Sequence, residues 1–130
     1  MDLDTIIIVT NSSEQARNST LAYLNHSHFV TQSIEINYNL KKPLPPTYMF
    51  DSFPLSIIGT FNDVPTELKV YAVSAGYNGT WPRDLLEIIK ATGFKIDEDI
   101  ILTDKWARNG RISISMLANG EIYNNLKPNI

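Results

Sequence analysis

The polar run Asn11-Ser12-Ser13 is the first stretch whose residue types could do chemistry. It follows a β-branched run at residues 5–10 and precedes a segment with the composition of a helix start. In open α/β sheets, ligands collect where strands end and helices begin, and the N–H groups of a helix N-terminus attract anions. The run contains no glycine, so it does not match a phosphate-wrapping loop. It therefore fits either a small-anion or nucleotide site or simple helix capping, since Glu14 and Gln15 follow Asn11 and Ser12 at capping-box spacing.

Two histidines are the only side chains spaced for a metal. His26 and His28 would share a face if they lay on a strand. No third ligand is close in sequence, and histidine at a helix end complements the helix dipole. The histidines therefore favour a structural or solvent-facing position, and we predict no metal.

No catalytic motif is recognisable in the chain. It has no cysteine, which excludes thiol catalysis, disulfides and thiolate metal sites. The acidic cluster at residues 97–99 lacks the spacing and the glycine of an EF-hand and is typical of a solvated turn. A serine–histidine–aspartate triad assembled in space stays open. We predict no catalytic residue and no cofactor, and favour a protein that is not an enzyme.

Aromatic side chains and an arginine stand in predicted loops and around the end of the chain. Trp, Tyr and Arg are the usual anchors of protein interfaces. Trp106 is equally compatible with the core. The candidate interface residues are Tyr48, Phe50, Phe53, Trp106, Arg108 and Tyr123. These residues predict binding to a protein partner or self-association.

Composition and charge limit the function further. The 130 residues, 43% hydrophobic and 19% charged, predict a single globular domain over residues 1–130. A net charge of −3 argues against binding to nucleic acid or to an anionic membrane. The acidic start is unlike a signal peptide, and the apolar run at residues 6–9 is too short to span a membrane. We expect a soluble protein without membrane insertion, in the cytoplasm or a virion.

The segment from residue 80 to residue 94 carries the strongest structural signal and predicts a central helix over about 81–92. Thr80 is predicted to cap it and Asp84 to complement its dipole. Gly93 supplies the left-handed conformation of a helix end, where Phe94 folds back on the helix. Apolar and neutral residues recur at helical spacing on one face: Trp81, Leu85, Ile88, Ile89 and Thr92.

The remaining pattern predicts a sheet around this helix. Residues 5–10 read as a strand buried on both faces, followed by a helix at about 14–25 and a half-buried strand at 29–37. The more apolar face of that last strand is predicted to be Val30, Gln32, Ile34 and Ile36. This order predicts an N-terminal parallel βαβ unit. A Pro-rich connection at 37–54 leads to an antiparallel pair at 55–61 and 67–74, and residues 99–103 read as a further strand. Asn119-Gly120 predicts a C-terminal antiparallel β-hairpin between 111–117 and 121–124. The class is α+β (or α/β) with a mixed sheet.

The order of elements resembles the thioredoxin/glutaredoxin fold over residues 5–94. The match lies in the first strand, the helix start at 11–15, the return strand at 30–36 and the Pro-led strand after Phe53-Pro54. The active-site cysteines of that family would fall near Ser12 and Gln15, and neither is cysteine. The resemblance therefore implies the fold without thiol redox chemistry.

A second likeness concerns residues 93–123. Turns that contain Asn-Gly alternate with short strands, at Arg108-Asn109-Gly110 and Ala118-Asn119-Gly120. This alternation is similar to that of the β-rich heads of phage tail fibres, which bind receptors. The sequence therefore supports three hypotheses about function. The first is a non-catalytic protein-binding or assembly module. The second is an anion or nucleotide binder using residues 11–13, and the third is a viral structural or receptor-binding protein.

Overall fold

The structure is a computed structural model that describes residues 4–26, 28–39, 53–106, 111–117 and 122–123. The strands are β1 (Asp4–Ile8), β2 (Phe29–Asn39), β3 (Leu55–Phe61), β4 (Val64–Val70), β5 (Arg111–Leu117) and β6 (Ile122–Tyr123). The helices are α1 (Ser13–Leu24), α2 (Thr80–Ala91) and α3 (Glu98–Leu102). The predicted α+β class, the central helix and the C-terminal antiparallel hairpin of β5 and β6 are confirmed.

The six strands form one mixed sheet in the order β1-β4-β3-β2-β5-β6. β1 and β4 are parallel, and the other neighbours are antiparallel. β1 and β2 therefore run in the same direction, as a βαβ unit requires, but β4 and β3 lie between them. The predicted strand–helix–strand order is correct, whereas its two strands are not neighbours.

The core lies between one face of the sheet and the two long helices, which contact each other. Leu85, Ile88 and Ile89 of α2 are fully buried there, as the helical spacing predicts. Burial of such side chains stabilises the fold by about 1.5–3 kcal/mol each. The opposite face of the sheet carries polar and charged residues, including Glu35, Glu67 and Lys69.

Two predictions for the strands are wrong. β1 is an edge strand, not a strand buried on both faces, and Ile7 is 47% exposed. In β2 the inward face changes phase at a register shift between Thr31 and Ser33. This bulge buries Phe29 together with Ile34, because one extra residue moves the following side chains to the other face.

Two predictions around the helices are also wrong. The segment predicted as a strand at residues 99–103 belongs to α3, because the Asp97 carboxylate accepts from the Asp99 N–H at 3.0 Å and starts a helical turn. Thr80 does not cap α2. The N-cap is Gly79, which has no side chain to accept a hydrogen bond. The predicted helix end is confirmed, since Gly93 has a φ of 83°.

Candidate functional site

The candidate functional site lies at one end of the sheet. Because β1, β4 and β2 run in the same direction, their carboxyl ends lie at the same end of the sheet. α1 begins just after β1, and nine residues separate the end of β4 from the start of α2. Two helix N-termini and the end of β2 therefore come together where ligands gather in α/β sheets.

The N-terminus of α1 is closed by its own side chains. The Ser12 hydroxyl oxygen accepts from the Gln15 N–H at 3.2 Å, and the Gln15 side-chain oxygen accepts from the Asn11 N–H at 3.3 Å. This is a reciprocal capping box. It uses the Gln15 N–H, one of the groups that an incoming anion would need, and so the geometry favours the capping alternative for residues 11–13.

A buried polar cluster joins the start of α1 to α2. The Ser13 hydroxyl donates to one carboxylate oxygen of Asp84 at 2.5 Å, and the Arg17 guanidinium donates to the other at 2.7 Å. Ser13 is 1% exposed and Asp84 is 4% exposed. A carboxylate removed from water must be hydrogen-bonded and paired with a charge, and both conditions are met here.

This cluster changes the role predicted for Asp84. The sequence predicts that Asp84 complements the dipole of its own helix. In the structure its carboxylate instead holds the neighbouring helix, 71 residues away along the chain. The carboxylate is already paired with Arg17, so the cluster offers an anion neither a free positive charge nor a free hydroxyl.

The N-terminus of α2 has a different character. Tyr77 lies over Gly79, where an added Cβ would meet the Tyr77 ring at 2.7 Å. The Tyr77 hydroxyl and the Ser74 hydroxyl are 2.8 Å apart. Arg83 folds back and donates to the Asn78 side-chain oxygen from two nitrogens, at 3.0 and 2.8 Å. The chain therefore holds Tyr77 and Arg83 in fixed positions around the helix start.

Large apolar surface remains exposed at this helix start. Tyr77 is 45% exposed and Trp81 is 36% exposed. The helical spacing predicts Trp81 on the buried face with Leu85, and this prediction is wrong: Trp81 lies in the first turn of α2 and is exposed. We call Tyr77, Trp81 and Arg83 the aromatic surface.

The end of β2 adds a second tyrosine to this region. Burial raises the pKa of Tyr38 above its ordinary value of 10, and the nearby Tyr77 and Tyr71 raise it further. Tyr38 therefore stays protonated to higher pH than a tyrosine in water, and its ring stands beside the tyrosines of the α2 side.

The residues predicted as an interface lie in separate parts of the fold where the structure describes them. Phe53 is 7% exposed, with the Lys69 Nζ atom 5.7 Å from its ring centre, so it has little surface left for a partner. Trp106 is partly buried and packs against the core. Tyr123 lies in β6. Tyr48, Phe50 and Arg108 lie outside the described residues.

The histidines lie beside each other at the end of α1. The ring centres of His26 and His28 are 5.4 Å apart, and both side chains are exposed. Within the described residues, no group of three potential ligands is placed to hold a metal ion.

Sequence reasoning misses the aromatic surface. The available signal is the run Gly76-Tyr77-Asn78-Gly79-Thr80-Trp81, in which two glycines flank a tyrosine just before a helix. Aromatic residues in a glycine-containing loop have few neighbours to cover them. The helical spacing of Trp81 with Leu85 predicts the opposite, a buried tryptophan.

Comparison of the chain with known families, curated proteins and solved structures gives no match. The thioredoxin-like resemblance therefore stays a prediction. Among the described helices, none is long and apolar enough to cross a membrane.

Proposed function

We propose that this chain is a non-catalytic protein-binding module that contacts its partner through the aromatic surface of Tyr77, Trp81 and Arg83. The observation that carries the proposal is that two large aromatic side chains are exposed beside an arginine at one helix start. Residues of these three types contribute most of the binding energy at protein interfaces.

The contacts beneath the aromatic surface support this function. Tyr77 is fixed by Ser74 and by the backbone at Gly79, and Arg83 is fixed by Asn78. A side chain that is already ordered loses less conformational entropy when it binds, by about 0.5–1.5 kcal/mol for each residue. A surface held in this way favours recognition of a partner without rearrangement.

The anion or nucleotide hypothesis has less support from the same end of the sheet. The Ser12 oxygen is engaged in the cap, and the Ser13 hydroxyl is buried and donates to Asp84. A nucleophile or a ligand-binding hydroxyl must be reachable, and Ser13 is not. No observation among the described residues favours the viral hypothesis, which stays a prediction.

The test is affinity capture from a native lysate with the wild-type chain and a Tyr77→Ala/Trp81→Ala variant. We expect proteins retained by the wild type to be lost from the variant. The matched control is Val30→Ala, which removes an exposed apolar side chain elsewhere on the sheet and should retain them. Equal retention by all three chains would contradict the proposal.

Gly79→Ala tests the geometry without removing any aromatic residue. Gly79 has a φ of −159°, so alanine is tolerated by the backbone, but its Cβ would displace the Tyr77 ring. If the fixed position of Tyr77 matters, this variant should lose the same proteins as the double variant. Full retention by Gly79→Ala would show that ring placement is unimportant.

A further inference from the structure

The edge strand β1 offers a second surface, separate from the aromatic surface. Within the described residues β1 pairs only with β4, in an unshifted register from Asp4 to Ile8. Its sequence, Asp-Thr-Ile-Ile-Ile, contains no lysine, no proline and no bulge. These are among the devices by which edge strands avoid pairing with another chain, so in the part of the chain that the structure describes this edge is open to a further strand.

The register shows which groups point outward. The Ile8 carbonyl accepts from the Tyr71 N–H at 3.0 Å, so Ile8 directs its backbone groups toward β4. Because these directions alternate along a strand, Thr5, Ile7 and Val9 direct their N–H and C=O groups away from the sheet. Ile7 and Val9 also expose 47% and 44% of their surfaces.

We propose that β1 pairs antiparallel with β1 of a second copy of this chain, about a two-fold axis at Ile7. The axis sets Ile7 opposite its own equivalent and Thr5 opposite Val9 of the second copy. Three outward residues in each chain then give roughly six intermolecular hydrogen bonds. On the helix-bearing face Ile6 comes opposite Ile8, so both faces of the new pair carry apolar contacts.

The charge on β1 fits this arrangement. Asp4 is the only charged residue of the strand. The antiparallel pairing sets it opposite Thr10 and separates the two Asp4 residues by about 20 Å at the usual rise of a strand. A parallel pairing in register would place the two carboxylates side by side, and it would not close about a two-fold axis.

The dimer determines where the aromatic surfaces of the two copies lie. A two-fold axis perpendicular to the sheet continues the sheet across both copies and reverses the strand direction. The carboxyl ends of the strands, with their aromatic surfaces, then lie at opposite ends of the assembly. The dimer would exist whether or not the aromatic surface binds a partner.

Cysteine cross-linking tests the register directly, because the chain has no cysteine of its own. Equivalent Cα atoms at Ile7 would lie about 5.5 Å apart, within disulfide range. Ile7→Cys should therefore form a disulfide dimer under mild oxidation. Thr5→Cys alone should not, whereas a mixture of Thr5→Cys and Val9→Cys should. Val30→Cys, which β4 and β3 separate from β1, should stay monomeric on a denaturing gel.

Light scattering behind a sizing column tests the dimer itself. The wild type should have the mass of two chains, Ile7→Lys should have the mass of one, and Val30→Lys should match the wild type. Circular dichroism shows whether Ile7→Lys is folded. If it is not, the cysteine variants decide. A monomeric wild type, a dimeric folded Ile7→Lys, or cross-linking at Val30 as efficient as at Ile7 would overturn the proposal.

Discussion

The starts of α1 and α2 lie at the same end of the sheet and meet the same requirement in different ways. Each helix leaves N–H groups at its first turn without a partner inside the helix. At α1 the Ser12 side chain accepts from one of them, the Gln15 N–H, and the Gln15 side chain accepts in return from the Asn11 N–H before the helix. α2 begins at Gly79 without a side-chain cap, and leaves Tyr77 and Trp81 exposed around its first turn.

The difference distinguishes polar residues that stabilise the fold from a surface that is available for binding. The polar residues at the start of α1 attract attention in the sequence, yet in the structure they are engaged in hydrogen bonds within the protein. Ser13 is bound to Asp84, which is also paired with Arg17. The helix start without a capping side chain is the one that presents large side chains to solvent. The polar residues at the start of α1 therefore belong to the helix start that is stabilised by side chains. Gly79 belongs to the helix start, that of α2, around which large side chains are accessible.

The largest expected effect comes from breaking the buried cluster on the α1 side. Asp84→Ala leaves the Ser13 hydroxyl without its acceptor and Arg17 without its counter-charge. We expect the free energy of unfolding to fall by about 3 kcal/mol, the scale for losing one member of a hydrogen-bonded, largely buried pair. Urea unfolding monitored by circular dichroism measures the change.

The matched control lies on the same helix. Glu87→Ala removes a carboxylate that is exposed. It should change the free energy of unfolding by no more than about 0.5 kcal/mol, as is usual for surface substitutions. If Asp84→Ala is no more destabilising than Glu87→Ala, the cluster does not hold α1 against α2.

A smaller effect compares the two helix starts directly. Ser12→Ala removes the acceptor for the Gln15 N–H and should lower the free energy of unfolding by about 1 kcal/mol. Thr80→Ala should leave it nearly unchanged, because Thr80 is inside α2 and caps nothing. The same urea titration measures both variants. Equal losses would mean that the two starts are capped alike.

The sequence predicts well whatever depends on near neighbours. Helix α2, its end at Gly93 and the cap at Ser12 follow from spacing and from residues within one turn. The antiparallel pairing of β3 with β4 is also predicted, although β4 (Val64–Val70) begins three residues before the predicted strand at 67–74 and ends four residues before it does. The turn is shorter than predicted, with φ values of 52° at Asn62 and 65° at Asp63, as two-residue hairpin turns require.

What the sequence does not predict depends on distant parts of the chain. An unbroken apolar run such as Ile6-Ile7-Ile8 is typical of a strand covered on both faces, yet sheet order places it at an edge. The bond between Ser13 and Asp84 joins residues from different elements, and no local pattern indicates it. The exposure of Trp81 depends in the same way on where the neighbouring elements lie.

The smallest effect sharpens the comparison on the α2 side, through Tyr38. Its pKa is raised in the folded protein by burial and by Tyr77 and Tyr71, so above about pH 10 the unfolded chain loses this proton first. The folded state then binds more protons, and the free energy of unfolding falls as the pH rises through that window. Below about pH 9 both states keep the proton and no such dependence is expected.

Tyr38→Phe should weaken the alkaline fall while matching the wild-type profile at neutral pH, in urea titrations between about pH 8 and pH 11. Identical alkaline slopes in the two proteins would show that burial and the nearby tyrosines do not raise the pKa of Tyr38 in the folded protein.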